Sequence, residues 1–250
     1  MSALIFAAAA ALTIISCASM SAMGETAMPG GWSLSMMWMR MPGQSWLSAA
    51  GSFTGTWGAM MVAMMLPSLM PMLRRYRESV GIAREPQLGR LTAVMGAGYF
   101  GVWTLFGLLV FPLGSTLATA EMRWASLART TPLAVGAVVV LAGLLQSSKW
   151  KARHLSSCRL APSPRHVLPA NANTAWRYGV HLGLHCGHCC AALTAVLFAI
   201  GIMDLRAMTL VGAAVTVERL ASNGERVARA IGIVVIVGGL LAIARAATLG

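Results

Sequence analysis

The sequence predicts an all-α, polytopic transmembrane bundle of about seven spans in a single domain covering residues 1–250. Three observations carry this. Aliphatic, aromatic and sulfur residues make up 57% of the chain and charged residues only 10%, too few to solvate a soluble domain of this length. Apolar runs approach or exceed the roughly 20 residues that cross about 30 Å of hydrocarbon. The arginines and lysines, which give a net charge of +12, collect between those runs. The expected spans are 3–19, 49–72, 91–112, 131–147, 178–202, 207–222 and 229–247.

The first span ends in Ile14-Ile15-Ser16-Cys17, which loosely resembles a lipoprotein cleavage box. Because Met1 to Phe6 contains no positive residue, a retained helix is expected; cleavage would leave six spans. Arg74, Arg75, Arg77, Arg84 and Arg90 follow the second span. Lys149, Lys151, Arg153, Arg159, Arg165 and Arg177 follow the fourth. The positive-inside bias puts both segments in the cytoplasm, and alternation adds Arg219, Arg226 and Arg229, a 14 to 5 asymmetry. The expected location is a bacterial inner membrane with a cytoplasmic N-terminus. The positive charge reads as an orientation signal and a match to anionic lipid, and no nucleic-acid motif accompanies it. Residues 148–177, with Pro162, Pro164 and Pro169, read as a loop without a fold of its own.

The fifth span carries the chemistry. His181, His185, Cys186, His188, Cys189 and Cys190 fall within ten residues, and such side chains are expensive in hydrocarbon unless they serve a site. At about 100° per residue His181, His185, His188 and Cys189 share one arc of a helix. Gly179, Gly183 and Gly187 form a small-xxx-small face on nearly the opposite side, so the helix is expected inside the bundle. The bland alternative is that the cysteines are small core residues and each histidine bonds a carbonyl.

Imidazole and thiolate suit zinc, copper and iron alike, whereas thioethers favour Cu(I). Met36, Met37, Met39 and Met41 crowd the first external loop as a metal-capture segment, with Met20, Met23 and Met28 before them. Trp57, Met61, Met64, Met65, Ser68 and Met72 share an arc of the second span, and the alternative role for those methionines is flexible core filling. Helical rise puts Met64, Met65, His185 and Cys186 roughly 5 to 8 Å inward of the midplane, and Glu218 of the sixth span at about the same layer. Glu218 offers a carboxylate as ligand, as partner of a ligating histidine, or as ion-pair partner of Arg219 or another arginine. The ordering of these stations reads as a path for a soft ion.

Three segments then carry a family resemblance. Trp57-Gly-Ala-Met60-Met61-Val-Ala-Met64-Met65-Leu-Pro67, Gly183-Leu-His-Cys186-Gly-His-Cys189-Cys190, and Gly201-Ile-Met203 with Glu218-Arg219 resemble the blocks of a bacterial family of predicted metal-binding integral membrane proteins, sometimes labelled copper chaperones. The match covers most of residues 50–225. Ala191-Ala192-Leu193 stands where the family pattern has Trp-Leu-Met. The resemblance implies copper trafficking, delivery or transport, with a periplasmic copper protein or a membrane enzyme as recipient.

Rival chemistries are a membrane thiol or quinone oxidoreductase using Cys186 and Cys189, and a haem protein using His and Met ligands, with zinc as the other metal. The intramembrane histidines all lie on one helix, which disfavours bis-histidine haem. A helical assembly factor stabilised by its buried ligands is a further alternative. Phosphate-binding glycine loops and paired carboxylates are lacking, with seven acidic residues in the chain, so the protein reads as a binding or transport protein rather than an enzyme.

Overall fold

The computed structural model describes residues 2–249 except 23–25, 29–31, 41–42, 81–84 and 160–168. The chain runs α1 (Ser2–Ala22), a short antiparallel ribbon β1 (Thr26–Met28) and β2 (Trp32–Leu34), a 3-10 turn (Met36–Trp38), α2 (Trp46–Val80) and α3 (Glu85–Arg123). It continues as α4 (Ala125–Gln146), α5 (Lys149–Arg159), α6 (Ala172–Ile200), α7 (Leu205–Leu220) and α8 (Gly224–Leu249). Among the described residues six helices are long and apolar enough to cross a membrane. The expected span at 207–222 is the exception. As α7 it has 16 residues, about 24 Å of helix against the roughly 30 Å of a hydrocarbon core.

Residues 148–177 differ from expectation, because their first third folds as α5. Lys151 and Leu155, four residues apart on one face, are both buried, and Ser148 Oγ accepts from the Lys151 N–H at 3.2 Å. The tertiary contacts of that face stabilise a helix that its polar composition conceals. Pro162 and Pro164 lie outside the described residues.

Two glycine contacts set the helix packing. A Cβ on Gly179 of α6 would collide with Met95 O of α3, and one on Gly183 would meet Tyr99 O at 2.9 Å; reciprocally, one on Gly98 would meet Trp176 O at 2.7 Å. The two backbones therefore touch, as a small-residue face allows. Gly187, the third member of the expected face, has nothing within 4 Å of such a Cβ. The second contact joins α4 to α8, where a Cβ on Gly143 would meet Gly232 O at 2.8 Å and one on Gly239 would meet Gly136 O at 3.0 Å.

The main core lies between α2, α3, α6 and α7. Its aromatic layer is built on Trp57, whose indole occupies the space beside Gly107 and whose Nε1–H donates to Trp103 O at 2.8 Å. Phe53 and Phe198 stack on Trp57 at 6.2 and 5.5 Å. Below this layer Met60, Met61, Met64 and Met65 are buried. Pro67 and Pro71 lie within α2 and remove two backbone donors near this level.

The glycine contacts predict opposite effects within one helix. Gly179→Ala is expected to destabilise by about 1–3 kcal/mol because its methyl group meets backbone, whereas Gly187→Ala is expected to be neutral or stabilising by up to about 1 kcal/mol. Thermal unfolding of the two variants in the same detergent checks this.

Candidate metal centre

The motif on α6 divides between faces. The helix starts at Asn171, whose side chain accepts from the Thr174 N–H at 2.7 Å, and the α3 contact then fixes its rotation. Cys186, one turn beyond Gly183, meets α3 at Tyr99, whose hydroxyl donates to Cys186 Sγ at 2.9 Å. Cys190, a further turn along, has its Sγ 3.8 Å from that of Cys186. Both thiols are 1% exposed. Arg219 of α7 reaches them from the other side, its guanidinium donating to Cys190 Sγ at 3.7 Å and to Ser68 Oγ at 3.4 Å.

The methionines expected on α2 belong to the same buried cluster as these thiols. Met61, Met64 and Met65 pack with Cys186, Cys190, Tyr99 and Trp57, and Met64 also lies beside Gly212 of α7. Among the described residues no group of three or more His, Cys, Asp or Glu side chains is placed to hold a metal ion. Further along α2, Ser68, Met72 and Arg75 join Arg219 and Ser222 around a cavity of about 320 Å³.

Cys189 is buried beside Leu155 of α5 and Ala228 of α8. Its carbonyl accepts from Lys151 Nζ at 2.6 Å, and that ammonium also pairs with Glu218 at 2.8 Å. Glu218 accepts from Gln146 Nε2 as well. Of the roles open to Glu218 in the sequence, the ion pair is the one present, but with a lysine from the segment expected to be a loop, in place of an arginine. Burial alone pushes the Lys151 ammonium down; Cys189, Glu218 and Cys190 outweigh it and hold its pKa above the ordinary lysine value.

The histidines point away from the core. His181 and His188 are exposed and His185 is half-buried. His181 and His185 bring their Nε2 atoms to 3.2 Å, while His188 Nδ1 lies 2.8 Å from Leu184 O on its own helix. His154 of α5 adds a fourth ring, 5.9 Å from that of His188. At the opposite end, Met37 and Met39 line a cavity of about 260 Å³ with Met20, Gln44 and Phe53. The backbone of Met36 lies in the 3-10 turn, and Met41 and Met23 lie outside the described residues.

Sequence reasoning missed Tyr99, Lys151 and the contact between Arg219 and the thiols. Tyr99 is a single hydroxyl in an apolar run. Lys151 was hidden in a polar segment, although its spacing from Leu155 was the available signal.

The buried pair gives a sharp expectation. Lys151→Met leaves Glu218 charged and unpaired and is expected to cost about 3–5 kcal/mol, whereas Lys151→Met combined with Glu218→Met recovers most of that. Comparison of both unfolding midpoints with the parent tests this, and equal losses would contradict it.

Comparison with protein families matches residues 54–242 to PpoB2, described as "Copper chaperone". Searches of curated proteins and of solved structures return no match. The matched segment holds the methionine run of α2, the thiols of α6 and Glu218 with Arg219 of α7. The chain belongs to the PpoB2 copper chaperone family.

Proposed function

We propose that this protein is a multi-pass protein of the bacterial inner membrane that binds Cu(I) at the Cys186 and Cys190 thiols and passes it to a copper-requiring recipient. The observation that carries the reading is the buried thiol pair, 3.8 Å apart, in a methionine-rich core beside a guanidinium. Six helices of sufficient length and apolarity support the membrane location. The inward placement of the arginine-rich ends follows the positive-inside bias.

The charges favour a monovalent ion. Cu(I) entering between the two thiols displaces both protons, and two thiolates with one Cu(I) carry a net charge of −1. Arg219 supplies +1 beside Cys190, so the buried assembly is neutral. Zn(II) in the same place would make a neutral unit with two thiolates, which matches the charge of Arg219 less well than the anionic Cu(I) unit does. Thioethers from Met61, Met64 or Met65 add neutral soft donors without disturbing this balance. The Tyr99 hydroxyl donates to Cys186 and stabilises its thiolate.

The order of side chains along α2 suits passage of the ion. Ala49, Ser52, Phe53 and Thr56 line the methionine cavity at one end, Trp57 stacks on Phe53, Met61 to Met65 follow, and Ser68 with Met72 opens onto the arginine-lined cavity. The recipient is either a periplasmic copper protein or a membrane enzyme. Dithiol oxidation, with a quinone taking up the two electrons and two protons, is the second reading, because the two thiols lie in contact at 3.8 Å. Their burial counts against exchange with a protein partner.

Purified protein titrated anaerobically with Cu(I) against a colorimetric chelator tests the centre. Cys186→Ser with Cys190→Ser is expected to abolish tight binding at this centre, and unchanged affinity would refute the assignment. Arg219→Met, which removes the compensating charge, is expected to weaken Cu(I) binding about 10- to 100-fold, the range for groups that support metal ligands. Zinc affinity in that variant is expected to hold or rise.

A further inference from the structure

A second sulfur cluster lies at the opposite end of the bundle from Arg219. Cys17 Sγ, near the C-terminus of α1, is 3.7 Å from Met203 Sδ and 4.0 Å from Met208 Sδ. The three residues come from three places in the chain: α1, the turn between α6 and α7, and the first turn of α7. Gly201, with φ of 129°, ends α6 and starts that turn, and Asp204 caps α7 by accepting from the Arg206 and Ala207 N–H groups. Cys17 and Met208 are 2% and 4% exposed, and Met203 is half-buried. Met37, at the methionine-lined cavity, packs in the same main core.

We infer that Cys17, Met203 and Met208 form a second Cu(I) site, one thiolate and two thioethers, that receives the ion before it reaches the thiol pair. The inference rests on the copper-binding reading above. Its chemistry differs from that of the thiol pair in a way the surroundings match. Cu(I) displaces one proton from Cys17, and one thiolate with one Cu(I) is neutral, so the site is electrically balanced without a buried cation. Two neutral thioethers and one thiolate hold Cu(I) less strongly than two thiolates with thioether support, which orders the sites from weaker to stronger. The half-buried Met203 gives the ion a route to the buried thiol. Met208 and Arg219 are eleven residues apart on α7, about 16 Å along its axis, so the two sites are separate.

The simpler alternative is that the three sulfurs only pack together. Anaerobic Cu(I) titration of the full chain, with X-ray absorption to count sulfur neighbours, separates the two. The expected result is two bound ions in the parent and one in Met203→Leu/Met208→Leu, with the one retained by Cys186→Ser/Cys190→Ser showing three sulfur neighbours. Leucine keeps the volume of methionine, so this variant is expected to fold; Cys17→Ser provides an independent second variant with the same expected loss. One ion in the parent, lost in Cys186→Ser/Cys190→Ser and untouched by either variant of the second cluster, overturns this site and leaves the thiol pair standing. One ion lost with the second cluster and retained without Cys186 and Cys190 upholds this site and overturns the reading of the thiol pair. No bound Cu(I) in a folded parent overturns both.

Discussion

The backbone contact between α3 and α6 decides where every other functional group in this protein can be. Gly98, Gly179 and Gly183 let the two helices approach until carbonyl oxygens of one lie where a side chain of the other would stand. This closeness fixes the rotation of α6 about its axis. Cys186 is then aimed at Tyr99 and into the core, Cys189 toward α5 and α8, and the histidines outward. The three imidazoles lie roughly 150° around the helix from Cys186 and Cys190, so the rotation that seats the thiols turns the imidazoles away from the centre. The helix therefore owes the identity of its inward face to residues that carry no chemistry.

Charge compensation is the second constraint on the same region. Two cations, Lys151 and Arg219, lie close to the cysteine-bearing turn of α6, and they are neutralised differently. Lys151 is paired with Glu218 and bound to the Cys189 carbonyl, a closed arrangement with nothing left over for an ion. Arg219 contacts Ser68 and Cys190 and lines a cavity. Adjacent residues of α7 thus divide the work: Glu218 stabilises the packing of α5 beneath α6, and Arg219 supplies charge to the thiols. Burying such groups costs several kcal/mol each unless they are matched.

The sulfur atoms are distributed along the bundle, not gathered at one point. Met20, Met37 and Met39 surround a cavity at one end, Met61, Met64 and Met65 lie beneath Trp57, and the thiol pair lies beside Arg219. The aromatic layer around Trp57, Phe53 and Phe198 separates the end cavity from the methionines below.

The sequence by itself determined the helical class, most helix positions and the residues that bear chemistry, because apolar run length and ligand type are local properties. The family, too, was legible in the methionine run, the cysteine-rich turn and Glu218-Arg219. It did not determine which members of the cysteine and histidine motif share a face with the methionines, since helical angles give directions relative to one another but not relative to neighbours. Gly187 matched the spacing of Gly179 and Gly183, yet a Cβ there meets nothing, because α3 and α6 part at that level around a cavity lined by Val102, Trp103, Phe106 and Gly187. Lys151 was taken for a loop cation, and only tertiary packing could place it against Glu218, since a buried charge is defined by partners remote in the chain. The meeting of Cys17 with Met203 and Met208 was likewise decided by the tertiary structure, which brings together atoms 186 and 191 residues apart.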